Sequence, residues 1–423
     1  MLSSLHGRRV LGLAVALLLA GIPAAQAQAP LPPGIWRLQG TDPDLPQGDL
    51  EPLRRIVGDA SFVGLGESVH TSGGFYQAKH RVFRFLVEEM GFRALGMETP
   101  WIRADQVETY VQTCQGTARG AVRGLLDIWQ STEVAVLARW MCEWNRAHPQ
   151  DRVHFYGFDV QTQAREDGRA LIEFLHRLGI RDGDPRIAGI RVCDGVEMDY
   201  RLAGRPFPPE LYRQCQDALA ETAAFFDRDE RKIQRRTSKQ DLGWARVHLV
   251  GQQAWQEQIF DPDPSRRGRA RDRGMAYAAQ AIRALRFPQA RVALWAHNSH
   301  LAKKADATSY TAVQMGTLLA GDLGGDYVSI GLVAYETSID WAAFRACGAA
   351  SIQIDERSVE QKFHDLGPGA GLLADLTARP RFFPRGEVYT LASARMVPAE
   401  QFNAILYLED SPKMHPLAWT PCS

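Results

Sequence analysis

The fold is set by the stretch Ser61-Phe62-Val63-Gly64-Leu65-Gly66, which Glu67-Ser68-Val69-His70 follows directly. A short apolar run that ends in a polar turn is typical of a buried strand. Residues 75–90 then place apolar side chains at helical spacing with polar residues between them, and Gly91 is a common helix stop. The stretch therefore predicts a strand, a tight turn that carries an acid and a histidine, and an amphipathic helix.

This alternation of strand and helix recurs along the chain. Helical patterns cover residues 133–147 and 275–285, and short apolar runs cover residues 93–97, 153–158, 291–296 and 327–334. Consecutive strands joined by helices favour right-handed crossovers and parallel pairing. We therefore expect an α/β fold with a mainly parallel central sheet flanked by helices, to which residues 388–391 and 404–408 add shorter strands.

Strand patterns are missing between residues 162 and 273, where residues 171–178, 211–226 and 242–259 have helical patterns. We interpret this region as a helical insertion into the α/β domain. It either caps a site on the sheet or only enlarges the core.

The N-terminus has the composition of a secretory signal peptide. Arg8 and Arg9 form a basic start, residues 10–20 are apolar, and Pro23 precedes the cleavage signal Ala25-Gln26-Ala27. We place cleavage after Ala27, so that residues 1–27 are removed and residues 28–48 form an extended lead-in. Because the apolar run is too short for a stable membrane anchor, we expect a periplasmic or secreted bacterial protein.

Charge and cysteine content narrow the possible partners and the compartment. The 49 basic and 49 acidic residues give no net charge, which argues against nucleic acid or an anionic membrane as a partner. The 6 cysteines form no C-x-x-C pair, and an even number in an oxidising compartment favours disulfides. Pairing of sequence neighbours would give Cys114–Cys142, Cys193–Cys215 and Cys347–Cys422, although other connectivities are open. The sequence does not indicate an oligomeric state.

Four of the predicted parallel strands end in an ionisable residue: Glu67, Glu98, Asp159 and His297. In an open parallel sheet, ligands bind outside the carboxyl ends of the strands. These side chains are therefore expected to converge on one crevice. Next to Glu67, His70 completes an acid–imidazole pair of the kind that serves as a general base toward water.

Other ionisable residues surround these strand ends. His297-Asn298-Ser299-His300 can bring two rings to one side of a turn, where they bind metal, donate to an oxyanion or cap loops. Lys79 could reach back from its helix toward the carboxylates, and Arg271 is a candidate ion-pair partner for one of them. We interpret Asp272 as an N-cap or first-turn acid, and the arginine cluster of residues 266–273 as a solvated face or loop.

Several catalytic motifs are missing from the sequence. It contains no G-x-S-x-G nucleophile elbow, no G-x-x-x-x-G-K-[ST] phosphate loop and no H-E-x-x-H zinc motif. These absences disfavour a serine-triad hydrolase, a P-loop enzyme and a typical zinc peptidase.

A set of ordered short motifs resembles the signature of the erythromycin esterase family and extends over nearly the whole mature chain. The motifs are Gly64-Leu65-Gly66-Glu67-Ser68-Val69-His70, Phe75, residues 79–89, residues 91–98, Tyr156-Gly157-Phe158-Asp159, Arg271-Asp272 with Met275-Ala276, Trp295-Ala296-His297-Asn298-Ser299-His300, residues 402–407 and residues 415–417. The resemblance implies one erythromycin-esterase-like catalytic domain over residues 49–423. It also implies hydrolysis of a carboxylic ester or lactone, with macrolides among the substrates, and no cofactor.

The resemblance also implies roles for individual residues. His70 would be the general base that activates water, and Glu67 would orient it or tune its pKa. Lys79 stands where some members have arginine, which keeps the charge but loses the bidentate fork. The remaining site residues fall into two sets: Glu98, His297 and His300, which would position water or stabilise the oxyanion, and Lys79, Asp159 and Arg271, which would bind the substrate.

Two other functions remain open at this point. Glu67, His70, Glu98, His297 and His300 offer nitrogen and oxygen ligands that suit a divalent metal ion, so a metal-dependent hydrolase is one alternative. The other is a non-catalytic exported binding protein of the same fold.

Overall fold

Ten strands are present in the computed structural model, which describes residues 30–161, 164–193, 197–304, 313–339, 356–378, 387–389 and 394–417. Eight of them form one sheet in the order β1-β7-β10-β6-β2-β5-β3-β4, and the other two pair separately. The strands are β1 (Ile35–Leu38), β2 (Phe62–Leu65), β3 (Phe92–Pro100), β4 (His154–Asp159), β5 (Arg291–Trp295), β6 (Tyr327–Thr337), β7 (Gly371–Asp375), β8 (Glu387–Tyr389), β9 (Ala394–Met396) and β10 (Ala404–Ser411).

The sheet is parallel from β10 to β4, and only β7 runs against its neighbours. The predicted α/β class with a mainly parallel sheet is therefore confirmed. The sequence interpretation missed β1 and β7, which form the antiparallel edge of the sheet. The last predicted strand is longer than expected, because β10 extends to Ser411.

Helices cover both faces of the sheet because alternate residues of each strand point to opposite sides. Phe62 packs into the core beneath the later helices of the chain, whereas Val63 packs into the core beneath the early helices. The helices before β4 are α1 (Leu53–Val57), α2 (Gly73–Met90), α3 (Trp101–Thr113), α4 (Ala118–Val122) and α5 (Thr132–Ala147).

Between β4 and β5 the described part of the chain is helical and has its own apolar core, formed around Leu171, Phe226 and Leu249. These helices are α6 (Ala164–Arg177), α7 (Pro185–Arg191), α8 (Glu197–Leu202), α9 (Pro209–Arg228), α10 (Glu230–Arg236), α11 (Lys239–Phe260) and α12 (Pro264–Arg286). Later helices are α13 (Asn298–Leu301), α14 (Met315–Leu323), α15 (Val359–His364) and α16 (Pro398–Gln401). A capping function for the segment between β4 and β5 stays a prediction.

Two of the three predicted disulfides are present. Cys114 is bonded to Cys142, and Cys193 is bonded to Cys215. The predicted Cys347–Cys422 pair and the predicted signal peptide lie outside the described residues. Within the described chain, no helix combines the length and the apolar character needed to cross a bilayer.

Candidate active site

The turn that follows β2 lies close against α13. A Cβ atom on Gly66 would be 1.9 Å from Oδ1 of Asn298, so only glycine fits at this position. Asn298 is held by two hydrogen bonds to the backbone of Leu332 in β6. The backbone conformation after β2 is therefore fixed, and it places Glu67 at the carboxyl edge of the sheet.

Glu67 is fully buried and uses both carboxylate oxygens. Its Oε1 lies 2.6 Å from Nδ1 of His70, and its Oε2 accepts a hydrogen bond of 2.7 Å from Nζ of Lys79 in α2. The predicted acid–imidazole pair is thus formed, and Lys79 does reach back toward the carboxylate.

Lys79 is enclosed by protein on all sides and has 0 % exposure. Its ammonium also donates to the carbonyl of Ala296 (3.3 Å) and lies 4.6 Å from the centre of the Trp295 ring. Burial lowers the pKa of Lys79 to about 8, against the opposing effect of Glu67. Lys79 is therefore placed to support Glu67, whereas the resemblance implied that it binds substrate.

His70 remains partly accessible, with 18 % of its side chain exposed. Its ring meets the edge of Trp129 at 5.1 Å and the ring of His297 at 5.2 Å between centroids. Because Glu67 accepts at Nδ1, the ring proton belongs on Nδ1 and Nε2 keeps its lone pair. Nε2 has no hydrogen-bond partner among the described residues.

The backbone directly after His70 is held in a strained conformation. Thr71 has a φ of 66°, a region that β-branched residues rarely adopt. Its N–H donates to the Tyr76 hydroxyl (2.9 Å), and its carbonyl accepts from the N–H of Met414 (3.0 Å). Such strain costs about 1–3 kcal/mol and persists only where the surroundings impose it. Here α2 and the chain after β10 impose it together.

A second cluster lies at the ends of β3 and β4, where Arg271 of α12 binds two carboxylates. It donates to Asp159 from Nε (3.1 Å) and Nη2 (2.9 Å), and to Oε1 of Glu98 from Nη2 (2.6 Å). Burial raises the pKa of Glu98, but the charge that His300 carries when it is protonated and the charge of Arg271 outweigh burial and hold that pKa well below its usual range. Burial likewise opposes the charge of Arg271, yet Asp159 and Glu98 raise its pKa further.

His300 connects this cluster to another buried acid. Its Nδ1 lies 2.7 Å from Oδ1 of Asp272, and its Nε2 lies 2.9 Å from Nη1 of Arg271. The carboxylates of Asp272 and Glu98 raise the pKa of His300 despite burial. Since arginine can only donate, the contact with Arg271 belongs to the neutral ring, with its proton on Nδ1. The interpretation of Asp272 as an N-cap or first-turn acid is wrong, because α12 begins at Pro264 and Asp272 is a buried residue inside it.

His297 joins the two clusters but has no free ring nitrogen. Its backbone N–H donates to Oε2 of Glu98 (2.8 Å). Its Nε2 donates to the carbonyl of Ser68 (2.9 Å), and its Nδ1 accepts from the N–H of Ser299 (3.1 Å). Burial and the neighbouring His70 lower the pKa of His297 to about 3, so the ring is neutral.

The structure thus brings every predicted site residue into one connected network at the carboxyl edge of the sheet. The sequence interpretation missed Trp129, which packs on His70 and donates its indole N–H to the Glu98 carbonyl (2.7 Å). No motif signals this residue, because it comes from a single helical turn (Asp127–Trp129) between α4 and α5. Among the described residues, no group of three or more His, Cys, Asp or Glu side chains is arranged to hold a metal ion.

Comparisons with known proteins agree with this architecture. The family model for erythromycin esterase matches residues 87–411, a range that begins after the Glu67–His70 turn. The chain is 30% identical to erythromycin esterase type II of Escherichia coli over 118 residues, which span only 28% of either protein. It is 21% identical to the putative hydrolase YbfO of Bacillus subtilis over 408 residues, which cover 85% of this chain and 86% of that protein.

Solved structures share the fold at low sequence identity. A variant erythromycin esterase in its open conformation has a TM-score of 0.73 at 20% identity, covering 90% of this chain and 98% of the other. A succinoglycan biosynthesis protein has a TM-score of 0.72, also at 20% identity, and the match covers 90% of this chain and 96% of the other. Since the family model matches most of the residues, this chain belongs to the erythromycin esterase family, which implies a hydrolase.

Proposed function

We propose that this protein hydrolyses a carboxylic ester or lactone with a water molecule that His70 activates. The observation that carries the proposal is the 2.6 Å hydrogen bond between Nδ1 of His70 and Oε1 of Glu67. It leaves the lone pair of Nε2 available in a ring that is 18 % exposed. A lone pair within reach of water is what a general base requires.

In the proposed reaction, the water oxygen forms a bond to the carbonyl carbon while Nε2 of His70 takes a proton from the water. The carbonyl oxygen becomes negatively charged in a tetrahedral intermediate. Collapse of this intermediate breaks the bond to the alcohol oxygen, which receives the proton back from His70. The products are an acid and an alcohol, joined in one molecule when the substrate is a lactone.

The buried partners of His70 suit this role. Glu67 stabilises the imidazolium that forms, because its Oε1 contacts the nitrogen that keeps its proton throughout. Lys79 compensates the charge of Glu67, which would otherwise be costly inside the protein. Trp129 fixes the plane of the His70 ring from the side.

The metal-dependent alternative has less support from the same contacts. Both oxygens of Glu67 already bind Lys79 and His70, and the oxygens of Glu98 bind Arg271 and the backbone of His297. A metal ion would have to displace these hydrogen-bond donors from their carboxylates. We expect the rate of hydrolysis to be unchanged after exhaustive chelation. A loss of activity that a divalent ion restores would favour a metal-dependent hydrolase.

We further propose that the protein is exported and that its substrates include macrolactones. Export is supported by the signal-peptide pattern and by two disulfides, which suit an oxidising compartment. The macrolactone class is supported by the names of the Escherichia coli relative and of the solved esterase, both of which refer to erythromycin.

A panel of lactones, linear esters and amides, incubated with the protein and read by mass spectrometry, tests the proposed function. We expect the mass of one water to be added to esters or lactones. His70→Ala should lower kcat/KM at least about 10²–10⁴-fold without a change in the thermal unfolding midpoint. His176→Ala is the matched control, because His176 forms a similar 2.9 Å pair with Asp182 on the surface of α6. Wild-type turnover by His70→Ala would refute the mechanism, and binding without any turnover would favour a non-catalytic protein.

A further inference from the structure

Hydrolysis by a water that His70 activates also requires a donor for the carbonyl oxygen as it gains negative charge. Three groups of the network are already committed elsewhere. Lys79 is fully buried against Glu67, and His297 donates its ring N–H to the Ser68 carbonyl. His300 accepts at Nε2 from Arg271 and therefore has no proton to offer there.

Arg271 retains capacity to donate. A guanidinium has five N–H groups in a rigid plane. Nε and both N–H groups of Nη2 are used by Asp159 and Glu98, and one N–H of Nη1 is used by His300. The other N–H of Nη1 has no partner among the described residues, and 17 % of the Arg271 side chain is exposed. An open N–H on a cation is thus held at Glu98, whose other oxygen accepts from the backbone N–H of His297. The His297 ring in turn lies 5.2 Å from the His70 ring between centroids.

The position of Arg271 is fixed before any substrate binds. Two carboxylates hold the Nε and Nη2 side of the guanidinium, so the plane cannot rotate without breaking charged hydrogen bonds. A donor that is already oriented stabilises an oxyanion without reorganisation during the reaction.

Besides the two carboxylates, His300 holds the guanidinium of Arg271, and Asp272 orients His300. Its Oδ1 accepts from Nδ1 of His300 (2.7 Å) and from the backbone N–H of Met315 (2.8 Å). Asp272 is anchored by α14 in this way and keeps the His300 proton on Nδ1. The lone pair of Nε2 must then face Nη1 of Arg271. If the proton moved to Nε2, two N–H groups would oppose each other and the guanidinium would be pushed away.

We propose that the open Nη1 N–H of Arg271 is the oxyanion donor, and that Asp272 is a positioning residue that holds Arg271 through His300. The assignment of Arg271 rests on the proposed ester hydrolysis. The His300 tautomer that Asp272 imposes can be measured without turnover, so the two ideas can fail separately.

The first test compares Arg271→Lys with Arg273→Lys. Both replacements keep the charge on α12, but Arg273 is exposed and pairs with Glu257 outside the network. Arg271→Lys should lower kcat about 10²–10³-fold with little change in KM. It should weaken binding of a phosphonate analogue of the tetrahedral intermediate by a similar factor. Arg273→Lys should change neither value by more than about twofold. A folded Arg271→Lys protein with wild-type kcat would overturn the assignment.

If Arg271→Lys does not fold, a second variant still tests the proposal. Asp272→Asn keeps the size of the side chain but removes the charge that fixes the His300 proton. We expect kcat and phosphonate affinity to fall together by about tenfold or more, with KM nearly unchanged. A loss of kcat without any loss of phosphonate affinity would mean that Asp272 has only a structural role, and would overturn the proposal for it.

Nitrogen-15 NMR of histidine-labelled protein gives a readout that is independent of hydrolysis. The His300 signals, assigned by their loss in His300→Gln, should show the Nδ1–H tautomer in the wild type and a mixture in Asp272→Asn. A wild-type ring protonated only on Nε2 would refute the positioning role. If the tautomer is as expected but no ester or lactone is hydrolysed, the proposed function fails and the oxyanion assignment falls with it.

Discussion

The buried pair of Glu67 and Lys79 predicts a large non-additive effect on stability. Both side chains are fully buried, and Nζ lies 2.7 Å from Oε2. At an effective dielectric constant of about 20, two unit charges at that distance attract by roughly 6 kcal/mol. Each ion costs several kcal/mol to bury, so the pair as a whole contributes little, whereas either charge left alone is strongly destabilising.

The perturbation is a double-mutant cycle with Glu67→Gln and Lys79→Met, which keep the approximate shapes of the side chains. Each single variant should lose about 3–5 kcal/mol of unfolding free energy, because it leaves one buried charge without its partner. The double variant removes both charges and should lose much less than the sum, which gives a coupling of about 3 kcal/mol or more. Urea unfolding followed by circular dichroism measures all four proteins.

The control is the exposed pair Arg177–Asp241, at 3.1 Å, whose coupling should stay below about 1 kcal/mol. If the losses for Glu67→Gln and Lys79→Met simply add to within about 0.5 kcal/mol, then Lys79 does not support Glu67 and the reasoning fails. Activity supplies a second readout, since Lys79→Met should also lower kcat/KM by weakening the orientation of His70.

Two further predictions concern the same turn. Gly66→Ala should cost at least about 1–3 kcal/mol, because the new Cβ would lie 1.9 Å from Oδ1 of Asn298; Gly48→Ala, where a Cβ meets nothing within 4 Å, is the control in urea unfolding. Burial lowers the pKa of Lys79 from 10.5 to about 8, so the unfolded chain binds more protons than the folded chain between those values. The contribution of this group to stability should therefore rise with pH across that window. The free energy of unfolding, measured at about pH 7.5 and 9.5, should rise with pH in the wild type and should lose this rise in Lys79→Met. The same pH dependence in both proteins would contradict the prediction.

The parallel part of the sheet was predictable because its strands are short apolar runs, most of which alternate with helical patterns. The antiparallel edge was not. β1 and β7 have four and five residues, as β2 and β5 do, but no long helical pattern lies next to them in the sequence to identify them as strands. Their pairing joins Ile35 to Ala374, which lie at opposite ends of the chain. Such a contact leaves no local pattern in a single sequence.

The convergence of the site residues was predictable because the carboxyl ends of parallel strands meet at one edge. The role of Asp272 was hidden by the arginines around it, which suggested a solvated segment. The acid that caps α12 is Asp263, whose side chain accepts from the N–H of Ser265. Once the helix begins there, its rotation turns Arg271 and Asp272 toward the sheet while Arg273 faces solvent.

The network carries four carboxylates against two cations, with Lys79 beside Glu67 and Arg271 between Glu98 and Asp159. Among the described residues, the side chain of Asp272 pairs with the ring of His300. The network therefore carries a surplus of negative charge. The same surplus would repel an oxyanion formed nearby, unless a cation with an open donor faced it. In the reaction that we propose, the two halves fall to groups on different elements: Glu67 and His70 after β2 would handle the proton, and Arg271 on α12 would stabilise the oxyanion.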